Sequence, residues 1–79
     1  MLKYSNVISN LKVCDSYIDF MTEVSEHSDN VKWAAVKCIL DYCDVTKKYD
    51  KGSWSRVDFA IVADNMLLTL NGPELPYLS

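Results

Sequence analysis

The chain has 79 residues, 49% of them apolar and 24% charged, with a net charge of −3 and only two glycines and two prolines. That balance excludes a disordered tail, and the length excludes two domains, so one domain over 1–79 built from few elements is expected. The longest apolar run, Phe59 to Ala63, is far short of the ~20 residues of a membrane span, and the N-terminal stretch lacks a signal-peptide core. The expected location is therefore cytoplasmic, or the host cytoplasm for a virus-encoded chain.

Charge is distributed in blocks. Residues 1–30 carry five acids against Lys3 and Lys12; residues 31–56 carry six bases against Asp41, Asp44 and Asp50; residues 57–79 carry three acids and no base. The three cysteines, Cys14, Cys38 and Cys43, form no C-x-x-C motif, and their odd number fits reduced thiols.

The first segment spans about Ser5 to His27. Ile8, Leu11, Cys14, Ile18 and Met21 recur at helical steps, broadened by Val7, Tyr17 and Val24. Asp15, Asp19 and Glu23 stand four apart, where like charges repel. Two readings follow: one long helix, or a break near Cys14 with Asp15 or Ser16 as the N-cap of a second helix and Asp19 in its first turn.

His27-Ser28-Asp29-Asn30 is rich in capping residues and opens the next helix. From Val31 to Val45 apolar residues come nearly all round, the signature of a central helix. It is expected to run over 31–50, with Lys47, Lys48 and Lys51 at its C-terminal dipole and Gly52 as its stop. Phe59, Val62, Ala63, Met66, Leu67 and Leu70 make the last helical stripe. Ser55 and Asp58 resemble a capping box in front of it, and Asn71-Gly72-Pro73 a terminator behind it. A β-hairpin over 57–70, turning at Asp64-Asn65, is the rival reading. It lacks a third strand to join. The tail Pro73–Ser79 is extended by its prolines, and its three large apolar residues either staple onto the bundle or face a partner. The fold class is therefore all-α, a compact three- or four-helix bundle, with α+β carrying a hairpin at 57–70 as the alternative.

Catalytic chemistry is poorly provided for. His27 is the sole imidazole, and no G-x-S-x-G or phosphate-binding glycine loop is present. Cys38 and Cys43 would point about 140° apart on a helix at 100° per residue, so a metal site is not expected. The cysteines read as small apolar packing residues. We therefore expect no enzyme, no cofactor and no metal.

Two charged segments remain. Lys47, Lys48, Tyr49, Lys51, Trp54 and Arg56 interleave cations with aromatic rings. Such a patch suits an acidic protein surface, where Tyr, Trp and Arg are common anchors. It also suits nucleic acid, where cations meet phosphate and rings stack on bases. The plainer alternative is a solvated helix end with Trp54 tucked into the core. Asp15, Asp19, Glu23 and Glu26 form an acidic stripe that a cationic partner would relieve, as would the chain's own 47–56 cations. A helix-turn-helix is disfavoured, because the helix after Ser28-Asp29-Asn30 opens with Val31, Trp33 and Ala34 where base-reading side chains would stand.

The expected function is thus a small acidic interaction protein that binds and modulates or inhibits a protein partner. Small size and the lack of a recognisable motif suit a phage- or mobile-element-encoded protein. Nucleic-acid binding through 47–56 is the alternative, and homodimerisation is a further option for a small domain with broad apolar faces.

Overall fold

Ser16 decides how the N-terminal third folds. The computed structural model describes residues 3–72. In it, helix α1 (Ser5–Lys12) ends before Asp15, and helix α2 (Tyr17–Ser25) starts afresh with Ser16 as its N-cap. The Ser16 hydroxyl accepts the Asp19 amide at 3.1 Å, satisfying one of the orphan donors of the first turn. The broken reading is therefore the correct one. The break relieves Asp19, whose carboxylate now lies at the positive end of a helix dipole.

Helix α3 (Asp29–Thr46) follows a short turn after α2. It stops four residues earlier than the 31–50 expectation. The stop is made at Lys47, in the left-handed conformation (φ 62°), whose amide donates back to the Cys43 carbonyl at 2.7 Å. Gly52 instead belongs to a single 3-10 turn, Lys51–Ser53, where its amide donates to the Asp50 carboxylate at 3.0 Å.

Helix α4 (Arg56–Leu70) replaces the hairpin alternative, and no strand occurs among the described residues. It opens with the expected pairing of Ser55 and Asp58 and closes on Asn71. The expectation for the tail, Pro73–Ser79, lies outside the described residues.

The described residues form an all-α bundle of four helices, and its organising helix is not the expected one. Both α1 and α3 pack along α4 more extensively than any other helices pack together. Helix α4 contributes Phe59, Val62, Ala63 and Met66, all fully buried, to one core shared with Leu11 of α1, Phe20 and Val24 of α2 and Ala34 and Ala35 of α3. Helix α3 packs extensively on α4 alone and less on α2, whereas α4 has an extensive contact on each of two sides. An all-round apolar pattern is a necessary sign of a central helix, and here two helices carry it. Only packing chooses between them.

Candidate functional site

The 47–56 segment folds as a corner between α3 and α4: Trp54 turns inward, Lys51 is half-buried, and Lys47, Lys48, Tyr49 and Arg56 stay exposed. Trp54 is 5% exposed. Its indole N–H donates to the Lys48 carbonyl at 3.1 Å, the partner a buried indole requires. Its ring lies 5.1 Å from Tyr42, edge-on, and 5.3 Å from Phe59. Phe59 in turn lies 5.5 Å from Phe20, so a row of four aromatic rings ties the corner, α3, α4 and α2 together. Trp54 is thus corrected from a partner-facing ring to a core residue: the corner is short, and the apolar ring is better buried than wet.

Beneath the corner sits Asp58, 4% exposed. It receives the Tyr42 hydroxyl, the Ser55 amide at 2.8 Å and hydroxyl at 3.2 Å, and the Lys48 ammonium at 3.1 Å. Burial pushes its pKa up. The bonds from Tyr42, Ser55 and Lys48 outweigh that and hold it at about 2. The same bond to Asp58, followed by burial, raises the Tyr42 phenol to about 12. Lys48, expected to face a partner, stays half-exposed while its ammonium pairs with Asp58 at 3.1 Å.

The remaining corner residues spread apart. Lys47 and Tyr49 are exposed, with the Tyr49 hydroxyl donating weakly to Asp44 at 3.4 Å. The Lys51 ammonium stands 5.5 Å above the Tyr17 ring, a cation–π contact that brings the corner against the start of α2. Arg56 faces another way. It lines a shallow, open depression of about 370 Å³ with Lys12, Val57 and Ala60, along the seam between α1 and α4.

The acidic stripe is held together better. Asp15, Asp19 and Glu26 are exposed on the outer side of the α2 region. Among the described residues none of them forms an ion pair with a cation of 47–56. Glu23 is drawn inward, 2.9 Å from the His27 ring nitrogen and 3.4 Å from the Asn10 amide. Asn10, Val13, Cys14, Asp19 and Glu23 line an open cleft of about 520 Å³ where α1 meets α2. The Cys14 thiol there is raised in pKa by burial first and then by Asp19, Glu23 and Asp15, which disfavours its thiolate.

One residue beside this cleft escaped the periodicity argument. Ile18 was placed on the core stripe, yet it is 77% exposed. With α2 restarting at Ser16, Phe20 and Val24 define its buried face, and Ile18 falls outward beside Asp15 and Asp19. The signal was present in the Ser16–Asp19 cap: a new helix resets the phase. Val13, in the link between α1 and α2, is exposed on the same cleft.

Cys38 and Cys43 are buried, and the three cysteines are unpaired. Among the described residues no group of three His, Cys, Asp or Glu side chains converges on a metal-sized space, and no helix is long and apolar enough to cross a membrane. No protein-family model, no curated protein and no solved structure matches this chain.

Proposed function

We propose that this chain is a small acidic interaction module that docks its α1–α2 face on a basic protein partner and thereby modulates it, most simply as an inhibitor. The observation that carries this reading is Ile18. It is a large apolar side chain left in water, 77% exposed in the first turn of α2, with the exposed carboxylates of Asp15 and Asp19 close to it in the chain and Val13 exposed on the preceding link. An apolar anchor with a charged rim is the usual anatomy of a protein-binding patch. A cationic segment with an apolar residue between its charges complements it, and the carboxylates would steer its approach. The Lys51 ammonium, 5.5 Å from the Tyr17 ring, borders this face and would select against a uniformly basic competitor. A phage or mobile-element genomic neighbourhood would fit the inhibitory form of the proposal.

Nucleic acid is less well served, because the burial of Trp54 removes one of the two rings that a base would stack on.

The test is capture of partners from the native cell or its host with Ile18→Lys and Glu26→Lys beside the parent chain. Neither change threatens the fold. Ile18 makes no core contact, and a cation at Glu26, the C-cap of α2, suits the helix dipole. Each variant is expected to lose the specific partner at least tenfold. If both retain it undiminished, the α1–α2 face is not the interface. A gel shift at low salt forms the second arm: retention of DNA or RNA that weakens steeply with added salt would replace this reading with the nucleic-acid one.

A further inference from the structure

We draw no further inference here: the strongest candidate, the exposed apolar patch of Val57, Ile61 and Leu68 on the outer face of α4, carries nothing, because nothing among the described residues shows what covers it.

Discussion

Asp58 shows how one residue can serve several levels of the structure. As the N3 residue of α4 it caps the helix through the Ser55 amide. As a buried carboxylate it anchors Tyr42 of α3 and Lys48 of the corner. Its pKa of about 2, against an ordinary 3.8, makes it a source of pH-dependent stability. Folding favours the ionised form, so the contribution is complete above about pH 4 and is lost as pH falls towards 2. It amounts to about 2 kcal/mol. Tyr42 runs in the opposite sense. Its pKa is raised to about 12, so folding favours the protonated phenol, and that stability is present below pH 10 and lost as pH rises through 12. The Tyr42–Asp58 hydrogen bond contributes to both effects, so they are not added. Urea denaturation as a function of pH should show a fall between pH 4 and 2 that is absent in Asp58→Asn. At neutral pH that variant should itself be about 2 kcal/mol less stable.

At the scale of elements, the ends of the helices are better determined than their length suggests. Helices α1 and α2 have eight and nine residues, too short to be stable alone. Ser16 between them supplies the cap that makes a break preferable to one long acidic helix. The end of α3 is less comfortable. Lys47 holds a left-handed backbone that costs a side-chain-bearing residue about 1 kcal/mol relative to glycine. Lys47→Gly should therefore raise stability by about 1 kcal/mol, seen as a thermal midpoint about 4–8 °C higher in a domain of this size. An unchanged or lower midpoint would mean that the lysine side chain contributes more than the strain costs.

At the scale of the whole molecule, stability is concentrated in the aromatic row Phe20–Phe59–Trp54–Tyr42. Phe59 occupies the middle of it, fully buried on the helix that both α1 and α3 pack along. Its truncation to alanine should cost about 3–5 kcal/mol. That is comparable to the entire net stability of a domain this small. Phe59→Ala should consequently lose its cooperative thermal transition, whereas Ile18→Lys should keep it. The contrast separates residues that hold the fold from those offered to a partner. It also explains why nine large apolar side chains remain outside among the described residues, Val13, Ile18, Val36, Leu40, Val45, Tyr49, Val57, Ile61 and Leu68. A chain of 79 residues has too little interior to bury them all.

The residues alone favoured the all-α class and a helix over 57–70 against the hairpin alternative, and they marked the Ser55–Asp58 cap, because periodicity and capping are local properties that a short window of sequence carries. They also marked both charged segments. Two things were decided only by tertiary packing. Whether α3 or α4 is central depended on which of two apolar helices the others could cover. Whether Trp54 is an anchor or a core ring depended on the distance between the corner and Phe59, which no spacing encodes. The exposure of Ile18 stands between local and tertiary control: the Ser16–Asp19 cap that breaks the first stripe is local, but which face of the new helix is buried was set by the packing of Phe20 and Val24.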